Sequence, residues 1–85
     1  MKYAIAWGNA ADDQLMTIWM HAADRSEVTA ASGRLLYQLT YQPLSVGESR
    51  ESSLSRFATD PPIGFLYEVI EDDKKVVVQK VFLVA

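Results

Sequence analysis

The spacing of apolar residues changes from a helical period in the first half of the chain to a strand period in the second half. After a short apolar run at residues 3–7 (YAIAW), apolar positions recur every three or four residues over 11–22 and again over 28–39. This spacing places them on one face of a helix, so it predicts two helices. From residue 63 onwards the apolar residues alternate, which predicts strands. We therefore expect an α+β domain with the order β-α-α-β-β-β.

Polar residues indicate where the two helices begin. Asn9 is a good N-cap for the first helix. Asp24 can cap the second, with Glu27 three residues later in a variant of the capping box. The short connection between them predicts an antiparallel helical hairpin. Gly33 lies inside the second helix at a cost of about 1 kcal/mol relative to alanine, and we interpret it as a site of close packing against a neighbouring element.

The remaining segments predict a small sheet. The run at 3–7 is typical of a strand buried on both faces. Residues 48–58 (ESRESSLSRFA) are polar and fit an exposed or edge strand. The Asp-Pro-Pro sequence at 60–62 predicts a turn, and the segments 63–70 and 76–84 predict a hairpin. The last segment is rich in β-branched residues and predicts an inner strand, so the helical hairpin should pack on a mainly antiparallel sheet.

Composition and charge narrow the classes of function. The 85 residues suffice for one domain, residues 1–85, and not for two. The sequence contains no cysteine, so neither a disulfide nor a thiolate metal site can form, which fits the cytoplasm. We find no signal-peptide pattern and no run of about 20 apolar residues, so we expect no membrane contact. A net charge of −3 argues against a general nucleic-acid binder.

The acidic clusters do not have the spacing of a metal site, and no glycine-rich phosphate-binding loop is present. We therefore expect no metal and no small-molecule cofactor.

Four short motifs occur in a characteristic order along the chain. They are AWGNA at 6–10, LTYQPLSVG at 39–47, PPIGFLYEV at 61–69 and VVVQKV at 76–81. Each motif is loose, but their order and spacing over nearly the whole chain resemble the RelE/ParE toxin superfamily. The GESR run at 47–50, the later Arg56 and the PP-x-G turn resemble a chromosomal, plasmid-stabilisation-like subgroup of that superfamily.

The resemblance implies a bacterial toxin whose helices and sheet surround a concave face, which an antitoxin wraps. RelE-type members cut messenger RNA on the ribosome without a metal, whereas ParE-type members act on DNA gyrase. The basic residues of the nuclease type would align with Gly64 and lie near Ser55 and Phe57, and its C-terminal tail would follow Val84. Only Arg56 stands in for one of these basic groups, so we predict incomplete nuclease machinery.

Three side chains are nevertheless candidates for RNA cleavage. Arg50 and Arg56 could stabilise the charge of a pentacoordinate phosphorane, and Tyr67 could act as an acid or stack on a base. Two arginines six residues apart on a straight strand lie about 20 Å apart, so one phosphate contacts both only if a bulge intervenes. Alternatively, the arginines are exposed or ion-paired with Glu48 and Glu51, and Tyr67 is a packing residue.

The other aromatic residues and the histidine have simpler interpretations. Tyr37 and Tyr41 have helical spacing, which favours packing in the core or at its rim. Trp7 and Trp19 are candidates for the core. Trp19 alternatively contacts an antitoxin. His21 is the only histidine, and we expect it on the surface at the end of the first helix, where a cation favours the helix dipole.

The leading hypothesis is a toxin-fold protein of a type II toxin–antitoxin system that acts mainly through protein contacts. Its partner would be an antitoxin or a cellular target such as DNA gyrase. One alternative is a ribosome-dependent messenger RNA endoribonuclease, and another is a homodimeric descendant of the fold that is not a toxin. The residues expected to contact a partner lie on the polar strand and the first helix: Glu48, Arg50, Ser52, Leu54, Arg56 and Trp19.

Overall fold

The computed structural model of the chain describes residues 2–46, 48–49 and 55–84. The elements are β1 (Ala4–Trp7), α1 (Ala11–His21), α2 (Arg25–Tyr41), α3 (Pro43–Val46), β2 (Glu48–Ser49), β3 (Ser55–Asp60), β4 (Ile63–Ile70) and β5 (Lys75–Leu83). Over these residues the sheet has the strand order β1-β5-β4-β3-β2. The expected order and fold class are confirmed, and the short α3 and β2 are added to them.

Strand β5 is the inner strand that its β-branched residues predict. It pairs in parallel with β1 and antiparallel with β4. In contrast, the prediction that residues 3–7 are buried on both faces is wrong. Strand β1 lies at an edge of the sheet, and Ala4 and Trp7 are exposed. The helices pack on one face of the sheet, which leaves Ala4 uncovered on the other face, and the edge position exposes part of the Trp7 ring.

One of the two predicted helix N-caps is confirmed and the other is wrong. The Asp24 Oδ1 accepts a hydrogen bond from the backbone N–H of Glu27 at 3.2 Å, as the capping box predicts. The prediction for Asn9 is wrong, because α1 starts one residue later, with Ala10 as its N-cap and no capping side chain. The close packing predicted at Gly33 is also absent, since a Cβ at that residue would meet no atom within 4 Å.

The core lies between the helices and one face of the sheet. Residues Ile63, Phe65 and Tyr67 alternate along β4 and are fully buried. A register irregularity between Leu66 and Tyr67 keeps the buried residues of β5 on the same face. The prediction of Trp7 and Trp19 as core residues is wrong, since both lie at the margin. The core contains Tyr3, Ala11, Val28, Ala31, Leu35, Leu39, Ala58, Ile63, Phe65, Tyr67, Val76, Val78 and Val81.

An ion pair that the sequence analysis did not identify fixes the turn between β3 and β4. The Arg34 Nε and Nη2 atoms donate to the two carboxylate oxygens of Asp60 at 2.6 and 2.9 Å. The Arg34 guanidinium lowers the pKa of the Asp60 carboxyl below its ordinary value. This bidentate contact joins α2 to the turn at Pro61 and Pro62.

Candidate interaction surfaces

Two of the predicted catalytic residues are neighbours in the sheet. Arg56 on β3 is the register partner of Tyr67 on β4. The Tyr67 hydroxyl donates to the Pro43 carbonyl at 2.7 Å, and Arg56 Nη2 donates to the Leu44 carbonyl at 2.9 Å. Burial raises the pKa of Tyr67 above its ordinary value, and the Arg56 guanidinium offsets part of that increase. These contacts hold the start of α3 against the sheet.

The other residues predicted to form a site do not form one described cluster with Arg56 and Tyr67. Glu48 lies in β2, where its register partner is Phe57. Arg50, Ser52 and Leu54 lie outside the described residues, so the predicted separation of the two arginines stays a prediction. Trp19 lies on α1 and forms part of a separate groove described below.

The sheet face opposite the helices is only partly exposed and mostly uncharged. Its described cations are Lys75 and Lys80 on β5, and Glu68 on β4 accepts a hydrogen bond from Gln79 Nε2 at 3.1 Å. We call this surface the open sheet face. Three rows of register partners form its centre: Ser55, Glu68 and Val77; Phe57, Leu66 and Lys80; and Thr59, Gly64 and Phe82.

The Phe82 ring occupies the space above Gly64 on the open sheet face. A Cβ built at Gly64 would lie 2.6 Å from both Cε2 and Cζ of Phe82, and 3.0 Å from Cγ2 of Thr59. A side chain at position 64 therefore requires the ring to move. Beside it, Phe57, Leu66, Lys80 and Phe82 line a shallow depression of about 290 Å³.

A second apolar surface lies on the helical pair beside β1. We call it the tryptophan groove, and its volume is about 240 Å³. The Trp19 Nε1 donates to the Thr29 hydroxyl at 3.1 Å, and the Arg25 guanidinium lies 4.8 Å from the centre of the Trp19 ring. Trp7 packs edge-on against Phe65, with ring centres 5.8 Å apart. The groove is lined by Trp7, Asp12, Leu15, Met16, Trp19, Val28, Thr29 and Ser32.

The tryptophan groove combines exposure with fixed geometry. Trp7 is 36% exposed, Trp19 is 38% exposed and Met16 is 61% exposed. Contacts with Phe65 and Thr29 limit the movement of the two indole rings. Sequence reasoning identified Trp19 but missed Asp12 and Met16. Their signal was available, because residues 12, 16 and 19 form a second helical stripe beside the core stripe.

Within residues 2–46, 48–49 and 55–84, no group of three or more His, Asp or Glu side chains could hold a metal ion. No helix in that part of the chain is long and apolar enough to cross a membrane.

The helical pair on a sheet with a parallel β1–β5 edge and an antiparallel remainder is the fold of the RelE/ParE toxins. A chain of the RelBE2 toxin–antitoxin complex from Mycobacterium tuberculosis superimposes with a TM-score of 0.80 at 21% identity, over 100% of this chain and 94% of that one. A chain of the chromosomal ParDE system of P. aeruginosa gives a TM-score of 0.74 at 15% identity, over 99% and 98%.

The isolated E. coli RelE toxin gives a TM-score of 0.65 at 15% identity, over 98% of this chain and 85% of that one. No protein-family model and no curated protein matches the sequence. The resemblance read from the sequence motifs is thus confirmed at the level of the fold.

Proposed function

We propose that this chain is a cytoplasmic RelE/ParE-like protein of a type II toxin–antitoxin system that acts through protein contacts and has incomplete nuclease machinery. The observation that carries the proposal is the composition of the open sheet face. The resemblance places basic residues at Gly64 and near Ser55 and Phe57; these three residues lie on this face, and none is charged. The presence of toxin–antitoxin complexes among the structural neighbours supports an antitoxin as the partner.

Electrostatics supports the absence of cleavage. A metal-independent nuclease must stabilise negative charge at the phosphorus as the 2′-oxygen attacks it. The described cations of the open sheet face are two lysines, and Glu68 lies between their rows. Arg56 points to the helix side, where it donates to the Leu44 carbonyl. Among the described residues, this arrangement therefore offers a phosphate few directed donors.

The tryptophan groove is the surface that we propose for a helix of the partner. An amphipathic helix binds by inserting apolar side chains into a groove, and buried tryptophans at the centre of an interface carry much of the binding energy. The fixed rings of Trp7 and Trp19 lower the entropy lost on binding. The polar segment with Glu48, Arg50, Ser52, Leu54 and Arg56 remains the proposed site for an extended portion of the same partner.

The test is coexpression with the product of any small reading frame next to the gene. We expect the two proteins to copurify, and we expect binding to shift tryptophan emission because both tryptophans line the groove. Trp19→Ala should weaken binding by at least about tenfold, the effect of losing an interface hot spot. Tyr37→Ala is the control, because Tyr37 is an aromatic residue exposed on α2 outside the groove. Failure to copurify, or equal effects of the two substitutions, would contradict the proposal.

A ribosome-dependent endoribonuclease is the alternative that stays to be tested. Arg56 and Tyr67 are register partners, but both point to the helix side and Tyr67 is fully buried. The reaction would use Arg50 and Arg56 for charge stabilisation and Tyr67 for proton transfer or stacking. Induced expression should then arrest growth with cleavage of translated messenger RNA, and Arg56→Ala should relieve the arrest. Growth without arrest while the folded protein accumulates would exclude this function. A stable homodimer without any antitoxin would instead favour the descendant that is not a toxin.

A further inference from the structure

A second groove lies where the connection between α1 and α2 meets the end of β5. We call it the helix-end groove, and its volume is about 610 Å³. Its apolar surface comes from Ile18, Ala22, Val28, Pro62 and Leu83. Leu83 is 70% exposed, although the next residue is held in place by a hydrogen bond from its N–H to the Pro62 carbonyl at 2.9 Å. An exposed leucine on a fixed strand end gives a bound chain a defined apolar contact.

The two charged residues that line the helix-end groove are both acidic. Asp24 and Glu27 line it, and its lining contains no lysine or arginine. Asp24 Oδ1 accepts hydrogen bonds from the Glu27 N–H and the Ser26 hydroxyl, which leaves Oδ2 without a partner in the described part of the chain. Over the same residues Glu27 forms no ion pair within 4 Å. His21, also in the lining, bonds through Nδ1 to the Thr17 carbonyl.

The neighbouring arginines are engaged elsewhere. Arg25 donates to the Met20 carbonyl at 3.1 Å and lies over the Trp19 ring. Arg34 forms its bidentate pair with Asp60. Among the described residues, neither the Asp24 nor the Glu27 carboxylate forms an ion pair within 4 Å, and the Arg34 guanidinium acts on Glu27 only at longer range.

We propose that the helix-end groove binds a basic amphipathic helix of a partner protein. The apolar side of that helix would contact Ile18 and Leu83, and its lysine or arginine side chains would lie beside Asp24 and Glu27. The net charge of −3 would also attract a basic segment at longer range. A second copy of this chain fits poorly, because a two-fold interface would bring the same carboxylates of both copies together. This inference rests on the groove itself and does not require the proposed function.

Two synthetic helical peptides of about 15 residues provide the test. They share one leucine-rich face and differ only in carrying lysine or glutamate on its flanks. We expect the lysine peptide to bind at least about fivefold more tightly by calorimetry, from two exposed ion pairs. It should also shift the backbone amide resonances of Ala22, Glu27 and Leu83.

Charge variants separate a local effect from a general one. The double variant Asp24→Asn/Glu27→Gln should remove the preference for lysine, and asparagine preserves the helix cap. Asp72→Asn/Asp73→Asn changes the net charge equally in the β4–β5 turn, away from the groove, and should preserve the preference. Equal affinities for the two peptides, absence of binding by both, or loss of the preference in the second variant would overturn the proposal.

Discussion

The contact between Gly64 and Phe82 can be tested by adding one methyl group. In Gly64→Ala the new Cβ would lie 2.6 Å from two atoms of the Phe82 ring, so the ring must move by about 1 Å to reach ordinary contact. Overpacking of this kind destabilises a fold by about 1–3 kcal/mol. In a Phe82→Ala background the ring is gone and only Thr59 Cγ2 is close, at 3.0 Å. The same methyl group should then cost less, with a coupling of about 1–2 kcal/mol between the two sites.

Urea unfolding monitored by tryptophan fluorescence measures the stability of the wild type, the two single variants and the double variant. With a slope of about 1 kcal/mol per molar urea, Gly64→Ala should lower the midpoint by about 1–3 M in the wild type and by clearly less in Phe82→Ala. Gly33→Ala is the matched control, because a Cβ there meets no atom within 4 Å. Additive effects of Gly64→Ala and Phe82→Ala would refute the packing of this ring over Gly64.

Three further predictions concern stability. Gly33→Ala should raise the free energy of unfolding by about 0.5–1 kcal/mol in the same urea assay, through helix propensity; a decrease would contradict the exposed, unpacked position. Tyr67→Phe should lower that free energy by about 1–2 kcal/mol, because the buried Pro43 carbonyl loses its donor; an unchanged midpoint would show that the hydrogen bond is unimportant. Asp60→Asn should destabilise the protein near pH 7 by about 0.5–1 kcal/mol. Folding lowers the pKa of Asp60. The carboxylate therefore contributes fully to the free energy of unfolding above its ordinary pKa of 3.8, and this contribution is lost as the pH falls through the lower pKa of the folded state. Thermal unfolding of both proteins between pH 7 and about pH 2 checks this, and a difference in stability that grows as the pH falls would contradict it.

The features of the fold that could be predicted are those that depend on residues close together in the sequence. Helix periodicity and the β-branched run of β5 were sufficient for element order, because each pattern buries residues on one defined face. Asp24 was identifiable as a cap because its hydrogen bond spans three residues. The same rules failed at Asn9, where the chain turns before the helix begins. They also failed at Gly33, because a glycine has no side chain to indicate what surrounds it.

Contacts between distant segments could not be predicted from pattern. Arg34 and Asp60 are 26 residues apart, and their pairing depends on how α2 crosses the sheet. Trp7 lies on the same face of β1 as the buried Tyr3, yet β1 lies at the edge of the sheet and leaves the Trp7 ring partly exposed. The tryptophan groove depends on these long-range positions. Trp19 was identifiable as a candidate contact, whereas the groove around it required the tertiary structure.

Side chains alternate between the two faces along each strand, so residues of the open sheet face can be substituted while the core is kept. Ile63, Phe65 and Tyr67 point to the helices, and the residues between them point away. Substitution of the outward residues therefore leaves the core packing intact, so a charged surface can become an apolar one at little cost in stability. Gly64 and Phe82 are coupled, because a side chain at position 64 and the ring of Phe82 in its present position would occupy the same space. A basic residue introduced at position 64 therefore requires the Phe82 ring to move aside or to be replaced by a smaller side chain.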